Sequence, residues 1–153
     1  MERATLRIAT YNVHKCRGLD HRVRPDRVAR VLAELDADIV ALQEVVSIES
    51  DAAEDNHARF LAEKFHYQWQ FGENRRLGAG KYGNVVLSRF PIEFTKNYDL
   101  TWRGCERRGC LRADIRIAAR CCICSMCISG RGIWSGATRD DCWCTDAFSR
   151  VPT

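Results

Sequence analysis

The stretch DIVALQEVV, residues Asp38–Val46, decides the fold of this chain. It is a compact apolar run that carries Gln43 and Glu44 near its end, a composition typical of a buried strand. Upstream, LRIATYNV (Leu6–Val13) is a short β-rich run that predicts another strand. Between them, apolar residues from Val28 to Leu35 recur at helical spacing and predict an amphipathic helix. Strand, helix and strand at this spacing form a βαβ unit, so we expect the two strands to be parallel neighbours.

Beyond this unit the chain predicts one more helix, which begins near Asp55, and further strands. We expect strands at YQWQF (Tyr67–Phe71), NVVLS (Asn84–Ser88), IEFTKNYDL (Ile92–Leu100) and LRADIRIA (Leu111–Ala118), with a glycine-rich loop at RRLGAGKYG (Arg75–Gly83). There is no internal repeat. At 153 residues the chain is long enough for one domain with a core.

Bulk composition excludes several classes of protein. The net charge of +4 favours anionic ligands but is no nucleic-acid signature by itself. No apolar run approaches the roughly 20 residues of a membrane-spanning helix, and the N-terminus lacks the apolar core of a secretion signal. We therefore expect a cytoplasmic protein whose nine cysteines are reduced thiols or metal ligands rather than disulfides.

Two polar residues lie near the ends of the first two predicted strands, namely Asn12 and Glu44. In open α/β sheets, ligands bind outside the carboxyl ends of the strands, and adjacent parallel strands bring these two residues to one edge. A carboxylate there suits Mg²⁺, which takes few protein oxygens and keeps waters for substrate phosphate. The simpler alternative is that Glu44 is a solvated charge and Asn12 a turn former.

Four sequence segments, which follow one another in a fixed order along the chain, make the interpretation of this site more specific. They are ATYNVHK (Ala9–Lys15), DIVALQEVV (Asp38–Val46), GNVVLSRFPI (Gly83–Ile92) and ERRGCLRADI (Glu106–Ile115). Together they resemble the endonuclease/exonuclease/phosphatase superfamily, over residues 5 to about 120. The resemblance implies an α/β fold, the N-terminal half of a two-sheet α/β/β/α sandwich, with the site at one end of the sheets.

The resemblance also implies roles for individual residues. Glu44 is similar to the metal-binding glutamate of the family, which uses Mg²⁺ or Mn²⁺, and Asn12 to the asparagine beside metal and phosphate. Arg108, or its neighbour Arg107, is similar to the basic residue that meets phosphate. His14 and Asn84 are possible neighbours of the site, although hydrogen bonding and packing explain them more simply.

The later motifs that the resemblance implies, N-V-H-L, D-x-N and S-D-H, do not occur in this sequence, and no histidine follows His66. We therefore expect a truncated phosphoesterase that is inactive as this chain, unless self-association supplies the missing groups. The substrate class stays open among nucleic acid, a phospholipid head group and a small phosphate ester, and so does the oligomeric state.

The composition changes abruptly at residue 120. Residues 121–153 hold six of the nine cysteines and contain no Leu, Glu, Lys or His. This divides the chain into a partial domain, 1–120, and an irregular Cys-rich tail, 121–153. One alternative is a non-catalytic module with a basic face in which zinc is bound by four thiolates, those of Cys121, Cys124, Cys127 and Cys142. The overlapping Cys-x-x-Cys pairs fit poorly the two separate pairs typical of structural zinc.

A reading-frame shift explains the tail better. When the third base of each codon from Arg120 onward is joined to the first two bases of the next codon, Cys121–Cys122 must encode Leu and Met126–Cys127 must encode Val. With allowed codons the shifted frame reads LHLFNVHLGTGYMERRHQ, which contains N-V-H-L where the resembling family has it. We therefore hypothesise a frameshift at about Arg120, and an out-of-frame tail after it.

Overall fold

The computed structural model describes residues 5–48, 55–117 and 120–127. In chain order the elements are β1 (Ile8–Asn12), a 3₁₀ turn (His14–Cys16), α1 (Pro25–Leu35), β2 (Ile39–Ser47), α2 (His57–Phe65), β3 (Gln68–Leu77), β4 (Gly80–Ser88), β5 (Ile92–Asp99), β6 (Gly109–Ile117) and β7 (Arg120–Cys127). Neither of these helices is long and apolar enough to cross a membrane.

The first sheet has four strands in the order β1-β2-β4-β3. β1 and β2 are parallel neighbours, with Ile8 opposite Ile39, so the predicted βαβ unit is confirmed. α1 connects them and begins at Pro25. Proline lacks an N–H, but the first N–H groups of a helix have no acceptor within the helix, so no hydrogen bond is lost. It buries Val28 and Leu32 as its apolar stripe predicts.

The second sheet has three strands in the order β5-β6-β7 and packs on one face of the first. Ile39 and Val86 of the first sheet meet Leu111, Ala113 and Ile115 of the second in a buried core between the sheets. The two helices cover the opposite face of the first sheet, over a second buried core. The predicted fold class, a mixed α/β architecture with two sheets, is confirmed.

The glycine-rich segment Arg75–Gly83 differs from the predicted loop. β3 continues to Leu77 and β4 begins at Gly80, so most of the segment is a β-hairpin. The tight turn is made possible by Gly78, whose φ is +59°. Local composition signals a turn here, but cross-strand pairing extends the strands almost to its tip.

The segment Arg120–Cys127 also differs from prediction, because we expected the irregular tail to begin at residue 121. Its backbone forms β7, antiparallel to β6, with Ile117 opposite Arg120. A strand is held by pairing of backbone groups with its neighbour, and no alternation of side chains is needed for it. Pairing with β6 therefore forms a strand that the local sequence pattern does not predict.

Candidate functional site

The site is built where the two parallel strands come side by side. Asn12 is the last residue of β1 and pairs with Gln43 of β2, which places Glu44 next to it. The Asn12 side-chain N–H donates to Glu44 Oε1 at 3.0 Å. The predicted meeting of Asn12 and Glu44 at one sheet edge is therefore present in the structure.

His14 joins this pair from the 3₁₀ turn that follows β1. Its Nδ1 lies 3.1 Å from Glu44 Oε2, and the carboxylate side chain is only 15% exposed. The His14 backbone N–H donates to Asn12 Oδ1 at 3.0 Å. The Asn12 side chain therefore hydrogen bonds both to Glu44 and to the backbone of His14. The expected structural hydrogen bond of His14 is thus directed at the carboxylate itself.

The backbone around the carboxylate is strained. Glu44 has a φ of +58° at a bulge in β2, three residues before the strand ends at Ser47. His14, Lys15 and Cys16 have φ values of +49°, +61° and +55°. Left-handed backbone costs about 1–2 kcal/mol for each non-glycine residue. Such strain clusters at functional sites, where it aims side chains that a regular strand would point elsewhere.

Sequence reasoning missed a layer of side chains behind Glu44. Tyr82 is buried and hydrogen bonds to the Glu44 carboxylate through its hydroxyl group. The Arg75 guanidinium lies 4.8 Å and the Lys15 ammonium 5.8 Å from the centre of the Tyr82 ring. Arg75 in turn forms a 2.9 Å ion pair with Glu106 of the β5–β6 loop. Two cations thus flank the carboxylate's aromatic neighbour.

Local sequence patterns could not reveal this layer of side chains behind Glu44. Arg75 faces Tyr82 only because bulges shift the register of β4 against β2 on one side and against β3 on the other. A one-residue change in register would send the same side chains to the opposite face. The segment that contains Arg75 and Tyr82 therefore reads as an ordinary glycine-rich turn in the sequence.

Burial raises the pKa of Tyr82 to about 12, and the neighbouring negative charge of Glu44 adds to this. The folded protein therefore favours the neutral phenol. This contribution to stability is complete below pH 10 and is lost as the pH rises to 12.

We expect Tyr82→Phe to lower the free energy of unfolding by about 1.5–3 kcal/mol at neutral pH, the range for a hydrogen bond to a charged group. The difference between wild type and variant should shrink between pH 10 and 12, measured by urea unfolding at each pH. Cys16, whose pKa burial also raises to about 12, titrates in both proteins, so the difference isolates Tyr82. A difference that stays constant with pH would contradict this role.

The structure places Asn84 in β4 of the first sheet and Arg108 in the loop between β5 and β6. Asn84 is fully buried and donates to the Gly109 carbonyl at 3.1 Å, so it ties the two sheets together. Arg108 lies at the base of the β5–β6 loop, where its N–H donates to Thr101 Oγ1 at 3.2 Å. Asn84 is therefore a packing residue, and Arg108 belongs to a loop linked to the site through Glu106.

The donor set at Glu44 fits a hard divalent cation. A carboxylate offers about four lone pairs, and Asn12, His14 and Tyr82 make three contacts with it, so some acceptor capacity is left. Mg²⁺ is often held by one or two carboxylates, with waters and substrate phosphate completing its shell. Among the residues that the structure describes, no group of three or more His, Cys, Asp or Glu side chains could hold a metal ion. Glu44 would thus be the anchor of a weak site.

The predicted zinc cluster involves residues of β7 and a residue outside the described ranges. Cys121, Cys124 and Cys127 lie along an extended strand, where residues three apart are separated by about 10 Å. Structural zinc holds Cys-x-x-Cys pairs in tight turns instead. Cys142 lies outside the described part of the chain.

Comparisons with known proteins agree with this architecture. The sequence model of the Endonuclease/Exonuclease/phosphatase family matches residues 9–140. The uncharacterized protein YbhP of Escherichia coli strain K12 is 31% identical over 119 residues, which cover 72% of this chain and 47% of YbhP. The chain therefore spans about half the length of the curated relatives that it matches.

Solved structures share the fold. An endonuclease/exonuclease/phosphatase from Beutenbergia cavernae superposes with a TM-score of 0.64 at 22% identity, covering 80% of this chain and 37% of that chain. The TDP2 protein of D. rerio, in complex with a single-strand DNA product, gives a TM-score of 0.58 at 18% identity over 80% of this chain and 45% of that chain. In both cases the matched region is less than half of the compared protein chain.

Proposed function

Because the chain belongs to the endonuclease/exonuclease/phosphatase family, we propose that it is half of a divalent-metal-dependent phosphoesterase. The intact enzyme would hydrolyse phosphodiesters or phosphomonoesters. The substrate would be a nucleic acid, a phospholipid head group or a small phosphate ester. One observation carries the proposal: the Glu44 carboxylate is oriented by Asn12 and His14 at a strained bulge. The proposal keeps the cytoplasmic location that the sequence predicts.

Each residue of the cluster has a defined task in this proposal. Glu44 would hold Mg²⁺ or Mn²⁺ through its remaining lone pairs, and His14 and Tyr82 would fix the direction of the carboxylate. When bound, the cation would offset the charge that gathers on phosphoryl oxygens during hydrolysis. Asn12 supplies an amide beside the same position, and Arg108 supplies a guanidinium suited to two phosphate oxygens.

The chain as it stands is proposed to be inactive. Activation of water needs a general base, which typically contributes 10²- to 10⁴-fold to the rate. The sequence contains no Asp-x-Asn and no Ser-Asp-His, the motifs that would supply it in the resembling family. The cluster at Glu44 would hold metal and phosphate without completing the reaction.

The frameshift hypothesis accounts for the missing motifs. Backbone pairing with β6 does not depend on side-chain identity, so an out-of-frame segment can still occupy the place of β7. The shifted frame would put N-V-H-L at the codons for residues 125–129, which overlap the last residues of this strand. Resequencing the gene across the codons for residues 120–129 tests the idea, because codons that cannot spell N-V-H-L in the shifted frame would refute it.

A hydrolysis experiment tests the function itself. We expect no Mg²⁺-dependent cleavage of bis-p-nitrophenyl phosphate by the present chain, and cleavage after a single-base correction restores the downstream frame. Wild type in EDTA is the control for metal dependence. Turnover by the uncorrected chain, abolished by dilution, would show instead that self-association completes the site. An inert corrected protein that folds and binds Mn²⁺ would contradict the proposed activity.

A further inference from the structure

The loop between β5 and β6, residues 100–108, stands at the same end of the sheets as Glu44. Its Glu106 carboxylate pairs with Arg75 at 2.9 Å, and Arg75 lies over the ring of Tyr82. Tyr82 hydrogen bonds to Glu44. The loop is therefore linked to the candidate metal-binding carboxylate by three consecutive side-chain contacts.

An aromatic side chain is presented at this loop. Trp102 is 76% exposed, the largest exposed fraction of any aromatic side chain in the described ranges. Its carbonyl accepts from the Cys105 N–H at 3.0 Å, and Gly104, with a φ of +77°, closes this tight turn. Three residues lie between Trp102 and Glu106, so their Cα atoms are within about 14 Å of each other. A tight turn thus presents an exposed indole on the loop that is linked to the site.

The surroundings of Trp102 are basic. The loop contains three arginines and one acid, and two of the arginines, Arg103 and Arg107, are exposed. An exposed indole in the same loop as exposed guanidinium groups combines a face for stacking with charges that attract phosphate. A scattered exposed apolar residue needs no explanation, but a ring in this setting beside a phosphoester site has a specific chemical complement.

We propose that Trp102 is a stacking platform for a nucleobase, so that the site selects phosphoesters that carry a base close to the reacting phosphate. This rests on the proposed function for the phosphate position, and deepens it by naming the substrate class. Arg103 and Arg107 attract the adjoining phosphates, and the Glu106–Arg75 pair fixes the loop relative to Glu44.

A nucleobase suits the loop better than a lipid surface. Insertion into a membrane needs a broad apolar face, with basic residues set to its polar side. Within the loop, Leu100 and Cys105 are the exposed apolar side chains that accompany Trp102, and three arginines follow the ring along the chain. A single ring is sufficient for stacking on one base.

Binding tests the proposal independently of hydrolysis. Fluorescence anisotropy would compare a labelled oligo-dT, an abasic oligonucleotide with the same number of phosphates, and a labelled thymidine monophosphate, all in EDTA. We expect wild type to bind oligo-dT more tightly than the abasic chain, and Trp102→Ala to lose about 5- to 150-fold for oligo-dT alone. Trp102→Phe should restore most of it. Arg103→Gln should weaken both oligonucleotides equally and lower the salt slope by about one.

The remaining arms separate the outcomes. Monophosphate binding that is sensitive to Trp102→Ala identifies a free nucleotide as sufficient, whereas binding of the oligonucleotide alone identifies single-stranded nucleic acid. Equal affinity of wild type and Trp102→Ala for oligo-dT would overturn the proposal. So would a loss confined to anionic phosphatidylserine vesicles and shared by Leu100→Ala. Because metal is absent, failure of metal binding at Glu44 refutes the phosphoesterase and leaves base stacking standing.

Discussion

Glu44→Gln is expected to abolish divalent-cation binding while leaving the fold in place. Gln keeps the length of the side chain and an oxygen that can accept from Asn12, so the bulge retains one of its hydrogen bonds. It removes the negative charge, which is the main attraction for a hard cation. Outer-shell changes typically weaken metal affinity 10- to 100-fold, so loss of the carboxylate itself should exceed about 100-fold.

The measurement uses His14 as a reporter, because its ring nitrogen lies 3.1 Å from the Glu44 carboxylate. Mn²⁺ should broaden the His14 ring signals in the NMR spectrum of wild type, and not in Glu44→Gln. Glu34→Gln, on the exposed face of α1, is the matched control and should behave as wild type. Equal broadening in wild type and Glu44→Gln would show that the cation binds elsewhere.

Gly83→Ala is expected to destabilise the whole domain by more than about 3 kcal/mol, at or beyond the upper end of ordinary overpacking. A Cβ at this position would lie 1.9 Å from the Gly72 carbonyl oxygen and 3.1 Å from Glu73 Cα, both backbone atoms of β3. Backbone cannot rotate away as a side chain can, so β3 and β4 would have to separate. Against a total stability of about 5–15 kcal/mol, this is a large fraction.

Two other glycines allow the stability losses of three Gly→Ala variants to be ranked. The free energy of unfolding of each is measured in urea, with the same denaturant slope applied to all. Gly109→Ala would meet the Asn74 side-chain oxygen at 2.0 Å, which can move, so we expect a loss of about 1–3 kcal/mol. Gly78→Ala meets nothing within 4 Å and bears only the penalty of its φ of +59°, about 1–2 kcal/mol. If Gly83→Ala unfolds at the same urea concentration as Gly78→Ala, the close approach of the strands is not as described.

The predictability of the site followed the range of the interactions that build it. Asn12 and Glu44 were found from sequence because parallel strands joined by a helix must align their carboxyl ends. Tyr82 and Arg75 were not, because their approach to Glu44 depends on two bulges that shift the strands against each other. A bulge needs an extra residue in one strand and leaves little signal in composition.

The βαβ unit and the pair Asn12–Glu44 could be predicted from the sequence, because apolar periodicity and strand ends are local properties of the chain. The two-sheet class followed from the resemblance of four sequence segments to the family. The tertiary structure alone decided that Arg75–Gly83 is a hairpin, that residues 120–127 join the second sheet, and that Tyr82 lies behind the carboxylate. These features depend on strand register and on pairing between distant segments. Backbone hydrogen bonds to a partner strand and packing against a second sheet set both, and no local window contains the partner.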